Sequence, residues 1–432
     1  MDSLVEADCR ALDASDPLAP LRDQFVLPHD IIYLDGNSLG ALPRSTQSRL
    51  TEVVRREWGD GLIGSWNTAG WIDSPHRVGD KIARLIGARP GEVVATDSTS
   101  VNLYKGLGAA LAIQAARAPD RRVIVSEGGN FPTDLYITRS LARDRSMHLR
   151  LSAADELDRA LDDRVAVLVL THVDYRTGAM HDMAAVTARA HAAGALVIWD
   201  LAHSAGAVPV DLHAAQADIA IGCGYKYLNG GPGAPAFIWV HPRHLDRFAQ
   251  PLTGWMGHRA PFEFAPDYQP AAGIDAALCG TPPILAMAAL ECGVDSVLAA
   301  EPFGGMSALR KKSVALTELF IRLVDERCAG LDLALISPRA GALRGSQVSI
   351  SHPSGGFPIM QALIERGVIG DFRAGGAVGG HDILRFGLTP LYTRYIDLWH
   401  AVDHLRDVLA NGLWRAPRYS RHSHHSQRNK VT

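Results

Sequence analysis

Short, nearly unbroken runs of valine, isoleucine and leucine recur between residues 92 and 240, and alanine-rich stretches with helical spacing lie between them. The runs are Glu92–Thr96, Arg122–Ser126, Val165–Thr171, Ala195–Trp199, Ile219–Gly222 and Ala236–Val240; Asn102–Ala118 and Met183–Ala193 are two of the helical stretches. A strand that is apolar on both sides has to be covered on both sides, and strand–helix alternation provides that cover. The pattern predicts an α/β fold with a mostly parallel sheet. In such sheets ligands bind beyond the carboxyl ends of the strands.

A Pro/Gly-rich passage over 251–283 interrupts the alternation, and a long Ala/Leu helix is expected from Ile284. Beyond about residue 335 a smaller α+β unit is expected. Its strands are Gly345–Ser351 and Ile383–Gly387, and its helices lie near Met360–Arg366 and Ile396–Leu409. The expected division is an N-terminal segment 1–50 packing with the small domain, a large domain 51–300, a small C-terminal domain 301–415 and a disordered tail 416–432. With 432 residues, one small core is not enough, so two domains are expected.

A net charge of -3 gives no electrostatic case for nucleic acid or an anionic membrane. No apolar run approaches the roughly 20 residues that span a bilayer. The opening residues lack the basic-then-apolar order of a signal peptide. The five cysteines include no CxxC pair, which fits free thiols in a reducing, cytoplasmic setting. His422, His424 and His425 fall in the polar tail, and no metal site is expected.

The tips of the expected strands carry the chemistry. Leu196-Val-Ile-Trp-Asp200 ends on a carboxylate, and Ile219–Gly222 leads into Cys-Gly-Tyr225-Lys226-Tyr-Leu-Asn-Gly-Gly-Pro-Gly233. An aspartate at one buried strand tip and a lysine at the next suit pyridoxal 5′-phosphate. The carboxylate keeps the pyridine nitrogen protonated, and the amine holds the aldehyde as a Schiff base. Asp200 also reads as a helix N-cap. His203, one helical turn on, is placed to reach the phosphate side of the cofactor.

Other strand ends offer compatible groups. Thr99 and Ser100 open a helix after the first strand, where amide groups and hydroxyls can hold a phosphate, although Ser/Thr there are also ordinary caps. Phe131-Pro132-Thr133-Asp134 offers an aromatic face beside polar groups, and Thr171 offers a hydroxyl. Arg385 lies in the strand-like Ile-Leu-Arg-Phe-Gly of the small domain. It either binds a substrate carboxylate as a bidentate fork or forms an internal ion pair.

Together these strings resemble the kynureninase family, of the bacterial type. The resemblance is carried by Tyr33-Leu-Asp-Gly-Asn-Ser-Leu-Gly40, Ser65-Trp-Asn-Thr-Ala-Gly-Trp71, Phe131-Pro-Thr-Asp134, Asp200-Leu-Ala-His203, Tyr225–Gly233, Gly280-Thr-Pro-Pro283, Arg344-Gly-Ser-Gln-Val-Ser349 and Leu384–Tyr392, in order. It implies a fold-type-I, class V aminotransferase-like architecture and a homodimer with shared active sites. It further implies Lys226 as the cofactor's lysine, with Thr99, Ser100, Phe131 to Asp134, Thr171, Asp200, His203 and Tyr225 as cofactor contacts. Trp255 and Thr281 would complete the phosphate site from the partner chain. Arg385 would hold the substrate α-carboxylate, and Asn37 and Trp66, with Asn67 and Trp71, are candidates on the substrate side. Tyr225 is open between an acid–base role and a phosphate contact.

The implied activity is hydrolytic Cβ–Cγ cleavage of L-kynurenine, or its 3-hydroxy form, to anthranilate or 3-hydroxyanthranilate and L-alanine, in tryptophan catabolism and NAD biosynthesis. The rivals are another class V enzyme, such as a cysteine desulfurase or an aminotransferase, and a non-catalytic regulatory protein on the same fold. A desulfurase needs a mobile cysteine, and neither Cys223 nor Cys279 is suitably placed for one.

Overall fold

The computed structural model describes residues 4–375 and 380–420, which form two compact units. The larger gathers residues 45–174 and 181–298, and the smaller gathers the described residues of 1–44, 175–180 and 299–432.

The larger unit is built on seven strands: β1 (Val93–Ala95), β2 (Val123–Glu127), β3 (His148–Ser152), β4 (Val165–Thr171), β5 (Leu196–Asp200), β6 (Ile219–Gly222) and β7 (Phe237–Val240). Their order across the sheet is β1–β7–β6–β5–β4–β2–β3. β7 runs antiparallel to β1 and β6, while the other neighbours are parallel. Each expected apolar run forms a strand, and every residue of β4 to β7 is buried, as two-sided cover requires. The edge strand β3 was not expected. His148-Leu-Arg-Leu-Ser152 mixes polar and apolar residues and stays partly exposed, so it does not read as a buried strand.

Helices α1 (Ser74–Ile86), α2 (Thr99–Arg117), α3 (Pro132–Asp144), α4 (Met183–Ala192) and α5 (Ile284–Leu298) belong to the same unit. Leu103 and Leu107 of α2 share a core with Val167, Ile198, Ile219 and Ile238 of the sheet. Local caps fix where helices start: Ser98 Oγ accepts from Val101 N at the head of α2, and Asp182 accepts from Ala185 N (3.0 Å) at the head of α4.

In the smaller unit, β8 (Ala334–Leu335), β9 (Gln347–Ser351), β10 (Asp371–Arg373) and β11 (Ile383–Gly387) form an antiparallel sheet in the order β8–β9–β11–β10. Helices α6 (Gly305–Arg327), α7 (Gly356–Glu365) and α8 (Tyr395–Ala410) accompany it. Leu316, Phe320 and Leu323 of α6 share a core with Val348, Phe386, Leu398 and Val402, and the Phe320 and Phe386 rings lie 4.9 Å apart. The helix expected from Ile284 ends at Leu298. Gly304 and Gly305, both at positive φ, turn the chain into α6.

The N-terminal residues join this unit. Ile32–Tyr33 pairs in parallel with Val368–Ile369, and Gly387 N donates to Leu34 O (2.7 Å). A Cβ on Gly36 would stand 2.1 Å from Thr389 Oγ1 and 2.6 Å from the Tyr392 hydroxyl. Two motifs far apart in sequence therefore meet where no side chain fits. Residues 416–420, expected in a disordered tail, instead carry a 3-10 turn at Pro417–Tyr419 with Tyr419 buried. The rest of that tail, with His422, His424 and His425, lies outside the described residues. Among the described residues no helix is long and apolar enough to cross a membrane.

Candidate active site

The carboxyl ends of β2, β4, β5 and β6 lead to Phe131, Thr171, Asp200 and Lys226, respectively. Lys226 follows β6 after Cys223, Gly224 and Tyr225. A Cβ on Gly224 would come within 2.3 Å of Pro235 O and 2.7 Å of Leu290, so only glycine lets the chain leave the sheet there. Lys226 Nζ lies 3.0 Å from His203 Nε2, 5.9 Å from the Phe131 ring centre and 5.7 Å from that of Tyr225.

Asp200 is the last residue of β5 and is buried; its Oδ1 accepts from Ala202 N (2.7 Å). Residues 201–207 form turns rather than the expected helix. That geometry brings His203 next to the amine of Lys226 instead of one helical turn away. Asp200 also meets the buried Asp134 of α3 through a carboxyl–carboxyl hydrogen bond. Burial pushes both groups up from the ordinary carboxylate range, and the Asp200 charge pushes Asp134 further, while Lys226 works against the rise in each.

The Tyr225 phenol is also pushed up, by burial and then by Cys223 and Asp200. Cys223 is buried and its thiol raised by burial, unlike an accessible sulfur acceptor; burial raises Cys279 too.

Asn130 was not expected in this group. It is buried, its Oδ1 accepts from Phe131 N (2.7 Å) and Thr171 Oγ1 (2.5 Å), and its Nδ2 donates to Ser126 Oγ (3.2 Å). Thr171 Oγ1 is also 3.5 Å from Asp134 Oδ2, so Asn130 links the tips of β2 and β4 beside the paired carboxyls. Its signal was its place immediately before Phe131-Pro-Thr-Asp134.

Thr99 and Ser100 open α2 as expected. Just before them Asp97 sits at positive φ (49°) and pairs with Lys105 (2.6 Å), a fully buried residue of α2 whose Nζ also donates to Ala277 O (2.6 Å). Lys105 was missed, although it is the sole charge in α2 before Arg117. Trp66 packs edge-to-face on Trp71 (6.4 Å) and Trp255 (6.1 Å). Trp71 Nε1 donates to Glu57 (2.7 Å), and Trp71 lines an apolar cavity of about 430 Å³ with Val53, Trp58 and Leu285. Thr281 is exposed.

Asn37 and Arg385 belong to the smaller unit. Asn37 is buried; its Nδ2 donates to Gln347 Oε1 (3.2 Å), and its Oδ1 has no hydrogen-bond partner. For Arg385, the internal ion pair is what forms. Asp371, directly opposite on β10, takes Nε at 2.5 Å and Nη2 in a closer contact. Nη1 donates to Tyr175 O, and Nη2 lies 3.3 Å from Ser38 Oγ. Arg373 Nη2 joins the same carboxylate at 2.8 Å. Asp35, buried nearby, is pushed up to about 7 by burial and then by the charge of Asp371.

Residues 33–340 match the aminotransferase class-V family, and residues 309–405 match the kynureninase C-terminal domain. Kynureninase of Burkholderia pseudomallei (strain K96243) is 57% identical over 413 residues, covering 95% of this chain and 97% of that protein. Kynureninase of Pseudomonas fluorescens is 55% identical over 420 residues, covering 96% and 98%. Among solved structures, an apo cysteine desulfurase from Thermococcus onnurineus NA1 superposes with a TM-score of 0.76 at 18% identity, over 95% of this chain and 100% of that one. The cystine C–S lyase C-DES with cysteine persulfide gives 0.74 at 16% identity, over 88% and 98%. At those identities the likeness is one of fold.

Proposed function

The chain belongs to the kynureninase family, on the class V aminotransferase fold, and we propose that Lys226 is the residue that holds its pyridoxal 5′-phosphate. The reaction is hydrolytic cleavage of L-kynurenine between its β and γ carbons, yielding anthranilate and L-alanine. The 3-hydroxy form is a second candidate substrate.

The side chains of the larger unit fit that cofactor. Asp134 and Asp200 form a buried acid pair with raised proton affinity, a setting completed by a cationic ring N–H. The head of α2 adds helix-terminal amides and the hydroxyls of Thr99 and Ser100 for a phosphate. Phe131 supplies a ring face beside Lys226. Pro132 and Thr133, in the first turn of α3, and Thr171 and His203 complete the proposed contacts.

Bound pyridoxal phosphate supplies an electron sink for negative charge at the substrate carbons next to the amino group. The Lys226 amine is assigned the transfer of the α proton, with His203, 3.0 Å away, orienting it. Tyr225, whose phenol holds its proton firmly, is assigned as a donor to the reacting carbons. Asp371 fixes the guanidinium of Arg385, which is assigned to the α-carboxylate. Asn37, with its unused buried acceptor, and Trp66 are the remaining substrate-side assignments.

A homodimer in the cytoplasm completes the reading, with Trp255 and Thr281 serving the partner's site. The exposed apolar residues Val54, Trp58, Leu62, Ile63 and Leu285 of the larger unit support an oligomeric face. The observation that carries the functional reading is the lysine at the β6 tip amid Phe131, His203 and the Asp134–Asp200 pair. Incubation of the cofactor-loaded protein with L-kynurenine tests it. Anthranilate fluorescence with equimolar alanine is expected, and absence of both products overturns it.

A further inference from the structure

The head of α2 carries a charge pair that the assigned phosphate contacts do not use. Asp97 directly precedes Ser98, the N-cap of α2, and Lys105 lies further along the same helix. Asp97 Oδ2 accepts from Lys105 Nζ (2.6 Å) and from Thr96 Oγ1 (3.1 Å). The Lys105 side chain is 0% exposed and that of Asp97 26%.

The corner that presents Asp97 is fixed by its own backbone. Asp97 sits at a φ of 49°, in the left-handed region. Ala236 N donates to Asp97 O (2.9 Å), Thr96 N donates to Ala236 O (2.8 Å), and Asn102 Nδ2 donates to Thr96 O (2.9 Å). These bonds tie the corner to the start of β7 and to the first turns of α2, so the Asp97 backbone stays at the helix head whatever Lys105 does.

A carboxylate there works against a phosphate. The amides of a helix head attract an anion, and a fixed negative charge beside the N-cap opposes a second one. An ammonium buried in an alanine-rich helix is costly in its own right unless it is paired. The pair answers both costs, because Lys105 cancels Asp97 from a side that water does not reach. Lys105 Nζ also donates to Ala277 O (2.6 Å), which holds the ammonium in place.

We propose that Lys105 sets the protein's affinity for the phosphate of its cofactor by cancelling the charge of Asp97 at the head of α2. The proposal rests on the assignment of Thr99 and Ser100 to that phosphate. Lys105 acts through Asp97, as a positioning residue for the charge at the phosphate contacts.

Cofactor titration of the full chain tests it. The protein is freed of cofactor with hydroxylamine, then titrated with pyridoxal 5′-phosphate and, separately, with pyridoxal. Pyridoxal offers the same aldehyde and ring without the phosphate, so the ratio of the two affinities reads the phosphate alone. The parent should favour the phosphorylated form. K105M should lower the ratio about tenfold or more, with pyridoxal affinity held within about twofold. K105Q keeps a donor for Asp97 and Ala277 O but not the charge, so it should show the same loss, and it carries the test if K105M does not fold. D97N/K105M removes both charges and should bring the ratio back to within about threefold of the parent's. An unchanged ratio in the Lys105 variants, equal losses for both ligands, or a double variant as poor as K105M each overturn the proposal alone. A parent without preference for the phosphorylated form overturns the phosphate assignment itself, and the proposal with it.

Discussion

Asp134 and Asp200 meet carboxyl to carboxyl in a place nearly closed to solvent, and burial raises the proton affinity of both. Two such groups are not both ionised without a cation between or beside them. Lys226 partly fills that need, and a protonated ring nitrogen would fill it further. If Asp200 is the counter-charge for the ring, as proposed, replacing it by alanine removes that partner. Turnover should fall by about two to three orders of magnitude while the cofactor stays bound. Steady-state rates with an absorbance spectrum of the variant check this, and near-wild-type turnover would mean that another group serves the ring nitrogen.

Lys226→Ala should abolish both turnover and the absorption band of the lysine-bound cofactor. The surrounding His203, Phe131 and Tyr225 remain, so pyridoxal phosphate should still bind, but reversibly and removable by dialysis. A variant retaining the band would place the attachment elsewhere.

The pairing of Arg385 with Asp371 predicts how each responds to substitution. Asp371→Asn leaves an arginine only 1% exposed without its carboxylate, a change that costs about 3 kcal/mol or more in buried pairs. Thermal unfolding should show the loss, and KM for kynurenine should rise as the guanidinium loosens. Arg385→Lys should not restore KM, because an ammonium cannot reproduce the two-pronged contact. A lysine variant with normal KM would remove Arg385 from carboxylate binding.

Asp35 gives the smaller unit a pH dependence of known sign. Its carboxyl ionises at an ordinary 3.8 in the unfolded chain and at about 7 in the fold, where burial and Asp371 oppose the charge. The folded state therefore holds the extra proton between those values. The resulting stability is fully present below about pH 4 and is lost as pH rises through about 7, amounting to at most about 4 kcal/mol. Asp35→Asn keeps the shape without the charge, so its melting temperature should fall less between pH 5 and pH 8 than that of the parent. Parallel curves for the two proteins would exclude Asp35 as the source.

The expected buried strands were visible because continuous Val/Ile/Leu runs have few alternatives in a parallel sheet. Asp200 and Thr171 were legible as candidates because each ends such a run, and Phe131 and Lys226 because each lies four residues beyond one. The edge strand β3 was not, since Arg150 and His148 give it a surface composition. Asn130 and Lys105 escaped for a different reason. Their partners, Thr171 in one case and Asp97 with Ala277 in the other, are set by how elements pack rather than by spacing. Arg385 shows the limit most plainly, because a strand arginine reads alike whether a ligand or a neighbouring strand neutralises it. The register of β10 against β11 decided for Asp371.

The stretch 175–180 looks like an ordinary loop after β4, yet it belongs to the smaller unit. Tyr175 O accepts from Gln347 Nε2 (3.1 Å), Gly178 O from Gly345 N (2.8 Å), and Met180 N donates to Leu343 O (2.9 Å). The polypeptide thus passes from one unit to the other at 44/45, 174/175, 180/181 and 298/299. No single scission can release either half intact. A fragment limited to 45–298 would keep this hexapeptide but strip away the backbone that anchors it, so trimming the protein to its larger unit is a poor route to a minimal enzyme.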